Sequence, residues 1–196
     1  MLVVNTSEIV RVLLPLVEVF DDNQILYFVG GSVVSSVYGE PRGTLDVDVV
    51  ADIRFEHVNA LVRRLKVEYY IDGDMIRDAI RHNSSFNIIY LDSMFKIDVF
   101  LPKLRQYAQQ ERLRARKEVI AEGVRPFYLS SPEDIILNKL EWYKIGDEIS
   151  TRQWNDLIGV INRQRAILDL AYLRLWAGEL NIAGLLARAL TQTGLE

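Results

Sequence analysis

Two aspartates separated by one valine, Asp46 and Asp48, are the residues whose type and spacing point most directly to chemistry. They lie in the alternating segment Leu45 to Val49, where the side-chain period of a β-strand places both carboxylates on one face. Such close carboxylates repel each other unless a cation lies between them, and Mg²⁺ prefers hard oxygen ligands of this kind. The pattern indicates a metal site, although an isolated Asp-x-Asp is also typical of a solvated strand face.

A third aspartate, Asp98, lies in a second alternating segment over residues 95–100. Asp98 and Lys96 share one face of this predicted strand, opposite Ile97 and Val99. Asp98 would complete a carboxylate triad, ligate a second metal ion and accept the proton of an attacking hydroxyl. As a lone strand residue it would be merely exposed.

A glycine turn, Gly30-Gly31-Ser32, follows the apolar run Ile25 to Val29 and precedes a short apolar helix over residues 32–38. Glycines let backbone amides approach a phosphate closely, and Ser32 at the helix N-terminus adds a hydroxyl and the favourable end of the helix dipole. Taken alone, the turn is also a common structural connection between a strand and a helix.

These three signals together match the requirements of nucleotidyl transfer. That reaction needs a triphosphate held in place and two magnesium ions, roughly 3.5–4 Å apart, that clamp the attacking and leaving oxygens. The turn would seat the triphosphate of an NTP, while Asp46, Asp48 and Asp98 would be the catalytic and metal-binding residues. The sequence therefore predicts a metal-dependent nucleotidyltransferase with NTP as substrate and two Mg²⁺ ions as cofactors.

The order of these motifs resembles the signature of the polymerase β-like nucleotidyltransferase superfamily. A finer resemblance, over roughly residues 25–160, is to minimal bacterial nucleotidyltransferases related to type IV abortive-infection (AbiEii) toxins. It rests on residues 39–44, 86–89 and 131–134 and on Lys139. The resemblance implies transfer to an acceptor that varies among relatives, RNA or tRNA, protein or a small molecule, frequently in a toxin–antitoxin system with a cognate antitoxin. It adds Arg42, Thr44 and Lys139 as candidate nucleotide-binding residues.

The later, helical part of the chain leaves several interpretations open. Lys139 is alternatively a solvent-facing lysine paired with Glu141 or Asp147. Arg152 and Asp156, four residues apart on a predicted helix, favour a structural ion pair. Residues 103–125 hold seven basic and three acidic side chains, so this segment would receive the phosphates of a nucleic-acid acceptor or form a solvated basic face.

The predicted elements around the motifs give an α+β fold, a mixed sheet flanked by helices followed by a helical lobe. We expect a nucleotidyltransferase core over residues 1–129 and a helical C-terminal lobe over residues 130–196. A hydroxyl cap, an early proline and first-turn acids predict a helix start at residues 130–134. Other helices are expected at residues 8–20 behind a Ser7 cap and at 55–66, 74–82 and 104–113. Short strands are expected at residues 67–71, 84–90, 117–121 and 125–129.

Composition narrows the function classes further. A formal net charge of −4 excludes a uniformly basic nucleic-acid binder, and the chain has no cysteine and 2 histidines, which excludes zinc-thiolate chemistry. The most apolar stretches, residues 9–20 and 167–190, are interrupted by charges, so we expect no membrane partner and a cytoplasmic location. A catalytically inactive module that binds a nucleotide or a protein is the alternative, since a fold does not establish activity.

Overall fold

The protein forms one mixed β-sheet covered by helices. The computed structural model describes residues 6–196, with side chains from residue 8 onward. The strands are β1 (Tyr27–Val29), β2 (Asp46–Ala51), β3 (Tyr69–Tyr70), β4 (Ser85–Tyr90), β5 (Phe95–Phe100), β6 (Arg116–Glu118) and β7 (Phe127–Leu129). Their order in the sheet is β3-β4-β5-β2-β1-β7-β6. β2 is parallel to β5 and β1 is parallel to β7, whereas the other neighbours are antiparallel.

Nine α-helices surround this sheet in the part of the chain that the structure describes. They are α1 (Thr6–Asp22), α2 (Gly31–Tyr38), α3 (Val58–Leu65), α4 (Gly73–His82), α5 (Gln106–Arg114), α6 (Pro132–Ile145), α7 (Thr151–Gln164), α8 (Leu170–Glu179) and α9 (Ala183–Gln192). Within residues 6–196, no helix combines the length and the apolar character needed to cross a bilayer.

The two central strands show why the sheet positions the acidic residues. Burial alternates along β2 and along β5, with every second side chain fully or almost fully enclosed. Val47, Val49, Ile97 and Val99 are 0 % exposed and contribute to the hydrophobic core. Because side chains alternate between the faces of a strand, the acidic residues between these valines and isoleucines point to the opposite face.

The start of helix α6 follows the capping pattern that the sequence predicts. Ser131 Oγ accepts a hydrogen bond of 3.2 Å from the backbone N–H of Asp134, and Pro132 occupies the first turn. Residue 130, where the helical lobe was expected to begin, directly follows β7, the last strand of the described chain. Helix α2 of the first part packs against α6 and α7 of the second, and the division into two domains at residue 129 stays a prediction.

Element boundaries differ from the predicted ones in local detail. The helix expected over residues 55–66 is a short 3-10 helix, Phe55–His57, followed by α3. Helix α4 begins one residue early because Asp72 caps it, accepting from the N–H of Asp74 at 2.7 Å. The strands expected at residues 67–71 and 117–121 are shorter and lie at the two edges of the sheet. The predicted capping role of Ser7 lies outside the described side chains.

Candidate active site

The register of β2 against β5 places the three predicted carboxylates on one sheet face. Asp48 lies directly opposite Asp98, and Asp46 lies opposite Lys96. Neighbouring strands are about 4.8 Å apart, so Asp48 and Asp98 are adjacent across the sheet. Strand alternation, which the sequence shows, and a parallel pairing, which it does not, are both needed for this arrangement.

Gly31, the first residue of α2, lies against Asp48. Its φ of +58° belongs to the left-handed region, and a Cβ added there would meet Asp48 Oδ2 at 1.7 Å. The neighbouring Gly30 donates its N–H to the backbone oxygen of Asp48 at 2.9 Å. A side chain at position 31 would therefore strain the backbone and displace the carboxylate. The glycine turn therefore makes room for Asp48, in addition to the phosphate access that the sequence predicts.

The carboxylates accumulate negative charge in a partly enclosed place. Burial and, to a smaller extent, the negative charges of Asp46 and Asp98 together raise the pKa of Asp48 to about 6. Lys96 Nζ forms an ion pair of 2.7 Å with Asp98 Oδ2. Thr44 Oγ1 donates a hydrogen bond of 2.9 Å to Asp46 Oδ1, so Thr44 orients one of the predicted ligands.

Among residues 6–196, no three Asp, Glu, His or Cys side chains are already arranged as a metal-binding group. The ammonium group of Lys96 also occupies one oxygen of Asp98. The donor set nevertheless fits Mg²⁺, since it consists of hard carboxylate oxygens whose mutual repulsion a cation would relieve. The Lys96 side chain is 44 % exposed and is free to turn toward solvent.

On the other side of the glycine turn, Arg42 and Asp156 form a bidentate ion pair. Arg42 Nε and Nη2 each donate to the Asp156 carboxylate at 2.8 Å. Arg42 Nη2 also donates to Ser32 Oγ at 2.6 Å. The structure thus brings two predicted nucleotide-binding residues, Ser32 and Arg42, into direct contact at the start of α2.

Lys139 completes this basic group. Its Nζ lies 2.7 Å from Asp156 Oδ2, and the residue is only 4 % exposed. Burial lowers the pKa of Lys139, an effect that the charge and hydrogen bond of Asp156 partly offset. Burial alone would raise the pKa of Asp156, but the hydrogen bonds from Arg42 and Lys139 outweigh it and the pKa falls. Two cations therefore share one carboxylate, leaving one positive charge in excess beside Ser32.

These contacts correct two interpretations of the helical part. Lys139 is not a solvent-facing lysine paired with Glu141, because Glu141 accepts instead from Arg105 at 2.7 and 2.6 Å. Asp156 pairs with Arg42 and Lys139, not with Arg152. Sequence reasoning missed Asp156 as a site residue because its partners lie 114 and 17 positions away. The sequence around Asp156 contains no pattern that would indicate these contacts.

Members of both charged groups line one cleft of about 530 Å³ between the sheet and helices α5 and α6. Asp46, Asp48, Lys139 and the glycine turn line it, together with a larger set of apolar and polar residues. Asp98 lies beside this lining, with its side chain 21 % exposed. The volume is typical of a site for a small ligand.

Much of the basic charge in residues 103–125 is neutralised within the protein. Arg105 pairs with Glu141, Arg114 with Glu133 and Arg125 with Asp21. Lys117 lies over the ring of Tyr128, 5.1 Å from its centroid. This segment is therefore less able to attract nucleic-acid phosphates than its composition suggests.

Comparison with known proteins gives similarity in structure but not in sequence. No protein-family model and no curated protein matches the chain. The solution structure of the antibiotic-resistance factor ANT(2'')-Ia matches with a TM-score of 0.54 and 17 % identity, over 93 % of this chain and 97 % of that one. The crystal structure of an antigenic nucleotidyltransferase-like protein from Paracoccidioides brasiliensis matches with a TM-score of 0.55 and 16 % identity, over 93 % and 94 %.

At these identities the likeness establishes the fold. The chain has a nucleotidyltransferase-type fold, and the predicted fold class, a mixed sheet with flanking helices, is confirmed. Membership of the wider nucleotidyltransferase superfamily stays a prediction, because these two neighbours share the fold at only 17 % and 16 % identity. The narrower link to AbiEii toxins has no counterpart among them.

Proposed function

We propose that the protein transfers a nucleotidyl group from an NTP to a hydroxyl acceptor in a Mg²⁺-dependent reaction. The observation that carries this proposal is the pairing of two opposite charge groups around one glycine turn. The acidic group is Asp46, Asp48 and Asp98, and the basic group is Arg42 and Lys139 held by Asp156. A magnesium triphosphate presents complementary charges to both groups.

The basic group would bind the β- and γ-phosphates. Ser32 and the first amides of α2 offer hydrogen-bond donors at the positive end of the helix dipole. Arg42 would contribute its positive charge while its Nε and Nη2 stay paired with Asp156, and Lys139 adds a point charge. As pyrophosphate leaves, its growing negative charge would be stabilised by groups already held in position by Asp156.

The acidic group would act at the α-phosphorus. Asp46, Asp48 and Asp98 would hold Mg²⁺, which when bound supplies the positive charge that neutralises the reacting oxygens. The acceptor oxygen forms a bond to the α-phosphorus, the bond from that phosphorus to the bridging oxygen breaks, and pyrophosphate leaves. Asp98 would take the acceptor proton on its Oδ1, because Oδ2 is engaged by Lys96.

The direct test is incubation with each α-³²P-labelled NTP, Mg²⁺ and either total tRNA, cell protein or a small-molecule pool. We expect label in one acceptor class, and its loss by at least about a hundredfold in Asp48→Asn, which keeps size and removes the charge. The matched control Asp92→Asn removes an exposed carboxylate and should keep full activity. Retained transfer in folded Asp48→Asn protein would remove the catalytic assignment.

One observation favours a second candidate, a module that binds nucleotides without transferring them. Lys96 occupies an oxygen of the proposed catalytic base in the structure. If this ion pair persists with Mg²⁺ and NTP bound, the protein binds nucleotide but gives no labelled product. Lys96→Met should then leave the absence of product unchanged, whereas in an active enzyme it should alter the pH profile of transfer.

The AbiEii resemblance leads to a finer proposal, a cytoplasmic toxin–antitoxin role with a cognate antitoxin as partner. Induced expression should then arrest growth of the host cell, and Asp48→Asn should abolish the arrest. Growth arrest that Asp48→Asn retains at equal protein level would count against a toxin activity that depends on this site.

A further inference from the structure

The sheet face that carries the acidic group continues into an apolar surface. Val50 follows Asp48 by two residues, and its register partners are Phe100 on β5 and Phe28 on β1. All three therefore lie on the face of Asp48 and Asp98 and line the cleft. Two residues along a strand cover about 7 Å, so this apolar floor begins within a sugar's length of the carboxylates.

This inference rests on the proposed function. The line along which the attacking and leaving oxygens lie then decides which part of the NTP is placed over this apolar floor. The glycine turn after β1, Asp48 on β2 and Asp98 on β5 form a row across the strands. The attacking and leaving oxygens of a phosphoryl transfer are roughly in line. Pyrophosphate would therefore leave toward the turn, and the acceptor would enter from Asp98. The nucleoside has to project across this line, which is the direction of the apolar floor.

Helices α5 and α6 add a polar pair to the same part of the cleft. Asn138 Nδ2 donates a hydrogen bond of 2.5 Å to Glu111 Oε1, and both residues line the cleft. Glu111 is 7 % exposed, and burial raises its pKa to about 7, with a further contribution from Asp134. The proposed transfer chemistry uses neither side chain. A buried carboxyl group without an ion-pair partner is costly, and a ligand that hydrogen-bonds to it would offset this cost.

We propose that this part of the cleft is the nucleobase subsite and that Glu111, oriented by Asn138, determines which base is accepted. We call it the base chamber, formed by Phe28, Val50, Phe100, Glu111 and Asn138. The aromatic and aliphatic floor suits the flat face of a base, and the carboxyl group reads its polar edge.

The chemistry of a carboxyl group favours bases with an exocyclic amino group. At a pH above the raised pKa of Glu111 its carboxylate oxygens only accept hydrogen bonds, and adenine, cytosine and guanine each present an amino donor. Uracil presents one N–H between two carbonyl oxygens, and these oxygens would face the lone pairs of Glu111 and remain unpaired. A site built on hydrogen bonding discriminates strongly against a ligand that leaves its buried polar group unpaired.

The test compares binding of the four ribonucleotides as α,β-methylene triphosphates, which block transfer, with binding of inorganic tripolyphosphate. Calorimetry with Mg²⁺ at pH 8, where the carboxyl group of Glu111 is mostly ionised, would use the wild type, Glu111→Gln and Phe100→Ala. The control is Glu122→Gln, which removes an exposed carboxylate outside the cleft. We expect the wild type and the control to bind the three amino-bearing nucleotides at least about tenfold more tightly than the uridine nucleotide.

Each variant has its own expected result. Glu111→Gln offers a donor and an acceptor that suit uracil, so the preference should shrink to about threefold or less. Phe100→Ala should weaken all four nucleotides about tenfold because the base loses its floor. Tripolyphosphate affinity should stay unchanged in both variants, since it occupies only the triphosphate site.

The outcomes separate this inference from the proposed function. A wild type without base preference, or a folded Glu111→Gln protein that keeps the wild-type preference, overturns the inference alone. Nucleotides that bind no more tightly than tripolyphosphate do the same. If neither tripolyphosphate nor any nucleotide binds, the proposed function fails and the base chamber with it. Should Glu111→Gln not fold, wild-type preference together with Phe100→Ala decides.

Discussion

The buried carboxyl group of Glu111 makes a quantitative prediction about stability and pH. Its pKa is raised from 4.5 to about 7, first by burial and then by the negative charge of Asp134, while the hydrogen bond from Asn138 acts in the opposite direction. A raised carboxyl pKa means that the folded protein holds this proton more tightly than the unfolded chain. Stability from this group is therefore fully present below about pH 4.5 and is lost as pH rises through about 7.

The size of the effect follows from the shift. A pKa difference of roughly 2.5 corresponds to about 3.5 kcal/mol at about 1.4 kcal/mol for each pKa unit. Glu111→Gln keeps the shape and an oxygen for Asn138 but cannot ionise. The variant should resemble the wild type at pH 4.5 and be more stable than it by up to about 3.5 kcal/mol at pH 8.

Urea unfolding at pH 4.5 and pH 8 measures this prediction as a double difference. The free energy of unfolding of wild type and variant is compared at each pH, so other titrating groups cancel. The exposed control Glu122→Gln should show a double difference below about 0.5 kcal/mol. A double difference for Glu111→Gln below about 1 kcal/mol, or one of opposite sign, would refute the argument from burial.

Three further predictions address the charged groups around the glycine turn. Gly31→Ala should destabilise the fold by at least about 2 kcal/mol, because position 31 has a positive φ and the new Cβ would lie 1.7 Å from Asp48 Oδ2. Gly184→Ala is the control, since its added Cβ meets no described atom within 4 Å, and it should change stability by less than about 1 kcal/mol. Thermal unfolding of both variants measures the difference. Asp156→Asn should cost about 3 kcal/mol in urea unfolding by leaving Lys139 buried without its carboxylate, and calorimetry should show weaker Mg²⁺-dependent tripolyphosphate binding. Mg²⁺ and NTP together should raise the melting temperature by more than the sum of the shifts that each produces alone. A joint shift equal to that sum would contradict a shared site.

Local sequence rules account for the parts of the site that lie within single elements. Alternation on β2 and β5 placed Asp46, Asp48 and Asp98 opposite buried apolar residues, because a strand has a side-chain period of two. The cap at Ser131 followed from the same kind of short-range preference. These features are readable because every interacting group lies within a few residues of the next.

Contacts between distant segments were not readable in this way. The Arg42–Asp156 pair spans 114 positions, and nothing in either local segment specifies the other. The base chamber likewise needs β1, β2 and β5 in their sheet order and two helices above them. A one-residue change in strand register would have moved Phe100 to the core face, so only the assembled sheet defines this surface.

The acidic and the basic candidate residues lie around the same glycine turn but carry their charges separately. The acidic residues lie on strands and the basic ones on α6 and the loop after α2, with Gly31 between them. If Arg42 and Lys139 formed ion pairs with these acids, both groups would lose charge that a ligand could use, as Asp98 does in part through Lys96. Arg42 and Lys139 instead form their ion pairs with Asp156 and not with Asp46, Asp48 or Asp98. Under the proposed function, the phosphates of an NTP would lie against Arg42 and Lys139, and the Mg²⁺ that they carry would bind the carboxylates.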